Sequence, residues 1–182
     1  MILGLVMFLG IHLLPIATRL RSLVAFRMGD KGYRGAFSII SAIGLILIIV
    51  GYRMAPNDLP LFAPSGAARA AAPLVVTIAF VLLASANMRT HIRYALRHPM
   101  LIGLMLWSGV HLLANGDVAG TILFGSFFVY SIVDLVSAIS RHAVKPFVPT
   151  WKHDIIAVVS GVVLSWIVMR YHGPLFDTPA VF

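Results

Sequence analysis

Six runs in this chain are long, apolar and nearly free of charge: Ile2–Thr18, Gly35–Met54, Ala70–Met88, Pro99–Asn115, Val118–Ser140 and Asp154–Arg170. Each has 17–23 residues, enough to cross a hydrocarbon core of about 30 Å as a helix. Membrane-spanning strands are shorter and alternate apolar with polar residues, and no run here alternates. In lipid the backbone must bond to itself, which a helix does within one segment. The expected fold is an all-α integral membrane protein: one transmembrane domain over 1–182, built as a six-helix bundle.

The composition agrees. The chain is 60% hydrophobic and only 11% charged, against about 25% charged in ordinary soluble domains. It has no cysteine, which excludes disulfides, thiolate metal sites and a cysteine nucleophile. It has no glutamate either; all six acids are aspartates. No phosphate-binding loop, dinucleotide fingerprint or serine-nucleophile elbow is present. The net charge of +8 belongs to basic loops facing an anionic membrane leaflet, with no nucleic-acid partner implied.

The basic residues are distributed unevenly. Eleven lie after the first, third and fifth runs: Arg19, Arg21, Arg27, Lys31, Arg34, Arg89, Arg93, Arg97, Arg141, Lys145 and Lys152. Only Arg53, Arg69 and Arg170 lie on the other side. Positive residues stay in the cytoplasm, so both termini are expected on the outer side of a bacterial inner membrane. The first run lacks the leading basic residues and small-residue site of a cleaved signal, and is expected to remain as an anchor. "NGD" at 115–117 predicts a tight turn and a close hairpin of the fourth and fifth helices.

Ionisable residues at membrane depth are costly and point to function. His12, in "GIHLL", and His111, in "GVHLL", lie in near-identical settings, and Asp134 lies in the fifth run. His12 is six residues before the inner end of its run, about 9 Å deep; Asp134 has a similar depth and is a candidate to orient that imidazole. Its alternative is a pairing with Arg141 on the stripe of Tyr130 and Ser137. His111 lies in the outer half, with Trp107, Ser108 and Asn115 on the same helical face. His91, His142, His153 and His172 fall in or near loops, where a solvated role is expected.

Neutral imidazole suits haem iron, zinc or copper. Zinc asks for three or four ligands, whereas haem needs one or two from facing helices of a small bundle. Arg19, on the stripe of His12, and Arg97 are candidates for haem propionates. His98, in "RHPM" at 97–100, would meet a headgroup or propionate; it is about 20 Å along the helix from His111. The depths of His12 and His111 differ, so one iron would join them only with a tilted macrocycle or a displaced first helix.

The segments "IHLLP", "GYRGAFSIISAIGL", "GYRMAP", "RHPMLIGLMLWSGVHLLANGD" and "ILFGS" together resemble the NnrU family. The resemblance covers roughly residues 1–145 and is most specific over 97–117. The family name is associated with nitrite and nitric oxide reduction in denitrifying bacteria, and the family is related to plant zeta-carotene isomerase. The resemblance implies a haem b bound through two histidines, matching His12 and His111. It also implies isomerisation of a cis double bond in a lipid-soluble polyene, without net redox change. A cysteine near the second histidine of the isomerase has no counterpart; Ser108 stands nearby.

Three functions follow. The first is a haem-binding membrane protein, acting as an isomerase or serving a redox partner. The second is a membrane methyltransferase, since "RHPMLIG" matches an RHPxxxG helix start that binds S-adenosylmethionine; the absence of glutamate weighs against it. The third is a cofactor-free structural membrane subunit whose histidines only pack. The sequence leaves the oligomeric state open.

Overall fold

A computed structural model describes residues 1–55, 59–144 and 146–176. The basic residue Lys145 lies outside the described residues. The described residues are mostly helical and form no strand; the one bridge among them, Pro60 opposite Asp117, is isolated. Two compact units divide it, Met1–Pro56 and Asn57–Phe182.

The first unit is a helical hairpin of α1 (Ile2–Leu13) and α2 (Thr18–Arg53). The expected first span stops at Leu13 instead of Thr18, because Pro15 sits in a turn closed by Ile16 and Ala17 amides on the Leu13 carbonyl. The basic segment that follows is not a loop. Residues 18–28 are rich in Leu, Arg, Ala and Met, good helix formers, and they wind as the first part of α2. Gly29, at φ 72°, breaks the helix before it resumes; positive φ is cheap only for glycine.

The hairpin closes on glycines. A Cβ on Gly4 would stand 2.6 Å from the Ile48 nitrogen and 2.7 Å from the Gly44 oxygen; one on Gly44 would stand 2.9 Å from the Phe8 nitrogen. Small residues let two backbones approach where no hydrophobic effect drives helices together.

The second unit holds α3 (Gly66–Ser85), α4 (His91–Leu96), α5 (Pro99–Asn115), α6 (Val118–Ser140), α7 (Trp151–Arg170) and α8 (His172–Phe176). α3 packs between α7 and α5, and α5 packs on α6. Close approaches recur: a Cβ on Gly103 would meet the Ala79 oxygen at 2.8 Å, and one on Gly161 the Val81 Cα at 2.5 Å. The most buried side chains are small, with Ala79, Ser85, Thr90, Ser108, Ser131 and Ala157 wholly covered. Large apolar side chains such as Ile155, Val159, Val163 and Trp166 are exposed instead. This inversion of a soluble core is what lipid as solvent produces.

α5 and α6 keep their expected bounds, and their hairpin turns on Gly116 at φ 76°. Asp117 caps α6, accepting the Gly120 amide at 2.6 Å; such a cap contributes about 1 kcal/mol. α3 begins at Gly66 rather than Ala70, with the Ser65 hydroxyl as cap. The segment before it is pinned to the hairpin turn, with the Leu61 and Phe62 amides donating to the Gly116 carbonyl.

α2, α3, α6 and α7 are long and apolar enough to cross a membrane; α1 and α5 are apolar but shorter. At about 1.5 Å per residue, α1 reaches about 18 Å and α5 about 26 Å.

Candidate functional site

His12 lies in the last turn of α1. Its ring Nδ1–H donates to the Phe8 carbonyl at 2.7 Å. A carbonyl only accepts, so the proton is on Nδ1, and in the neutral imidazole the lone pair belongs to Nε2. The ring stacks on Phe8 at 4.2 Å and meets Phe37 of α2 edge-on at 4.9 Å. Phe37 continues to Tyr33, over which the Arg21 guanidinium sits at 5.6 Å.

His111 repeats this arrangement in the second unit. Its Nδ1–H donates to the Trp107 carbonyl at 2.8 Å, again four residues earlier, leaving the neutral lone pair on Nε2. Its ring lies 4.7 Å from Phe124 and 5.3 Å from Trp107. Trp107 in turn packs edge-on to Phe124 and Phe127. Thus Trp107, expected as a neighbour, sets the tautomer with its carbonyl and the wall with its ring. Ser108 is wholly buried and donates back to the Leu104 carbonyl at 2.6 Å. Asn115 ends α5 and lies against the first turn of α6 at Gly120.

Other expectations change. The tautomer of His12 is set within α1 by Phe8. Asp134 is held by its own helix: the Tyr130 hydroxyl donates to it at 3.0 Å and Arg141 lies 3.6 Å away. The stripe reading of Asp134 therefore describes it. Arg19 is exposed in the first turn of α2 and is not on a continuous stripe with His12, because the chain turns between Leu13 and Thr18.

Arg97 and His98 form the corner between α4 and α5. Arg97 has φ 62° and ψ −45°, rare for a side-chain-bearing residue. His98 occupies the N-cap position of α5, and Pro99 follows in the first turn. Burial holds the His98 imidazole below its usual pKa; Arg97 lowers it further, and Asp134 opposes both.

Three histidines expected to be merely solvated have partners; the simplest is His153, whose Nδ1 lies 2.7 Å from the Thr150 hydroxyl. His91 opens α4, and its Nδ1 lies 2.6 Å from the Asp154 carboxylate, whose other oxygen accepts the His91 amide at 2.8 Å. Its ring stacks on Trp151 at 4.2 Å. His172, in α8, lies with its ring 6.4 Å from that of His111, the planes 25° apart. The signal for His91 was Asp154 itself, an acid in the first turn of an apolar helix. His172 had no local signal.

Among the described residues no three histidine, aspartate, glutamate or cysteine side chains gather as a metal-binding group. A three- or four-ligand zinc centre thus lacks its donors there. A haem, which needs one or two imidazole nitrogens and aromatic walls, fits the donor sets around His12 and His111.

The helices define a multi-pass membrane protein with small residues inside and large apolar residues outside. The chain matches the family model described as NnrU protein over residues 1–180, so it belongs to the NnrU family, the last long helix included. No curated protein and no solved structure matches it.

Proposed function

We propose that this chain is a haem b-binding protein of the bacterial inner membrane, with six apolar segments, both termini outside, and His12 and His111 as axial ligands. One observation carries the reading: in both helices the carbonyl of an aromatic residue four positions earlier accepts a hydrogen bond from the ring Nδ1–H, which assigns the lone pair of the neutral imidazole to Nε2. Metal-ligating histidines are commonly oriented in this way through their other nitrogen. The aromatic rings around each histidine exclude water and offer flat apolar surface. The orientation is supported by the eleven-to-three division of Lys and Arg.

When bound, the group supplies an iron centre able to act as Lewis acid or one-electron partner. The chain's own part is to hold two imidazoles in a fixed tautomer within apolar walls that a lipid-soluble polyene reaches from the bilayer. An isomerase of such a polyene is the activity this supports, with a denitrification-associated electron carrier as its non-enzymatic counterpart.

The test is an absorption spectrum of protein expressed with a haem supply. A Soret band is expected, and His12→Gly and His111→Gly should each weaken or shift it, with added imidazole restoring it. Variants that fold normally and both keep the parent spectrum would overturn the assignment. Carbon monoxide then separates the two activities: the reduced protein should bind it if one histidine yields during isomerisation, and refuse it if both ligands stay.

A further inference from the structure

At the α4–α5 corner of the second unit is a cavity of about 210 Å³, lined by Asn87, Arg93, Arg97, His98 and Asp134 among others. A groove of about 550 Å³ shares Arg93, Arg97 and Val144 with it and adds Tyr94, Pro146 and Phe147. We propose that this two-part cleft binds a phosphate group, gripped by Arg93, Arg97 and His98, with the groove taking the apolar part of the molecule that carries it.

The charges are unbalanced in favour of an anion. Asp134 is the cavity's sole carboxylate among the described residues, and it is already held by Tyr130 and Arg141. The Arg97 guanidinium has no hydrogen-bond or ion-pair partner among the described residues, and neither does the His98 ring. Arg93 is braced: its guanidinium lies 4.9 Å over the Phe147 ring and donates to the Met88 carbonyl at 3.4 Å. A guanidinium fixed by stacking loses little freedom on meeting phosphate oxygens.

The backbone tells the same story. Arg97 sits at φ 62°, ψ −45°, a conformation strained for any residue that carries a side chain. A glycine would occupy it without strain, yet an arginine does, and it lines the cavity. Pro99, Met100 and Leu101, the first turn of α5, also line the cavity. No side chain caps that helix, so its first amides add to the attraction for an anion.

The cleft is a separate place from His111, thirteen residues and about 20 Å along α5, so this inference does not rest on the haem reading. The phosphate has two possible sources, an anionic lipid or a soluble phosphate, and the experiment separates them. Full-length protein is placed in nanodiscs of phosphatidylcholine with and without phosphatidic acid, and separately titrated in detergent with inorganic phosphate. Retention of phosphatidic acid in native mass spectra without response to inorganic phosphate identifies the lipid source. Saturable thermal stabilisation by inorganic phosphate identifies the soluble one.

In either arm, Arg93→Gln combined with Arg97→Gln should weaken binding at least tenfold, and Arg27→Gln should leave it unchanged. Arg97→Gly keeps the backbone conformation and relieves its strain, so it should fold at least as well as the parent and still bind worse. No binding in either arm, or binding that survives the double substitution, overturns the proposal.

Discussion

His91 Nδ1 and Asp154 Oδ2 lie 2.6 Å apart, joining the first residue of α4 to the first turn of α7. The same carboxylate accepts the His91 backbone amide, so it caps one helix from another. Thr90, wholly buried, completes the cap through its hydroxyl on the Arg93 amide at 2.9 Å. Asp154→Asn and His91→Ala should therefore each lower the melting temperature of detergent-solubilised protein. The double variant should fall little further than either single one, since both remove one shared interaction. Additive losses would show that the two residues act separately.

The glycine contacts of the first unit give an asymmetric prediction. A Cβ on Gly4 meets backbone atoms of α2 that cannot swing aside, whereas one on Gly10 meets nothing within 4 Å. Gly4→Ala should destabilise the hairpin by about 1–3 kcal/mol, as overpacking does. Gly10→Ala should be neutral or stabilising by about 0.5–1 kcal/mol, the ordinary gain of alanine over glycine in a helix. Chemical denaturation of both variants in the same detergent reads the difference; equal behaviour would contradict the packing.

The cleft at Arg97 should respond to pH through His98. The groups facing that imidazole across the cavity are Arg93, Arg97 and Asp134, with Arg141 paired behind Asp134. Burial and Arg97 hold His98 below its usual pKa, so the empty cleft carries a neutral ring near pH 7. A bound anion favours the protonated ring, so binding takes up a proton and strengthens as pH falls. Sulfate, which does not titrate in this range, should bind more tightly at pH 5.5 than at pH 8. His98→Gln should flatten that dependence while Arg93 and Arg97 keep the remaining affinity.

Much of the architecture is written in the runs themselves. α5 and α6 match their apolar runs residue for residue, because "NGD" ends one helix with a positive-φ glycine and starts the next with a capping aspartate. α7 begins at Trp151 and α3 at Gly66, a few residues before the hydropathy rises, because Thr150 and Ser65 are the N-cap residues and not the first apolar residues. α4 is six residues long, too short for any hydropathic period to reveal. The basic segment after α1 misleads because charge opposes burial in lipid but not helix formation.

The sequence by itself determined the solvent, most of the long helices and the placing of one histidine in each of two apolar helices. Hydropathy is a property of a continuous segment, and an imidazole four residues after a carbonyl is within reach of it in any helix. Only the tertiary structure decided which side chains meet between helices: Asp154 under His91, His172 beside His111, Arg93 and Arg97 around one cavity, and Gly4 against Ile48. Those relationships depend on helix register and rotation, which are fixed by the fit of small residues between backbones. In a chain whose lipid-facing and inward-facing residues are almost equally apolar, no hydropathic pattern records that fit.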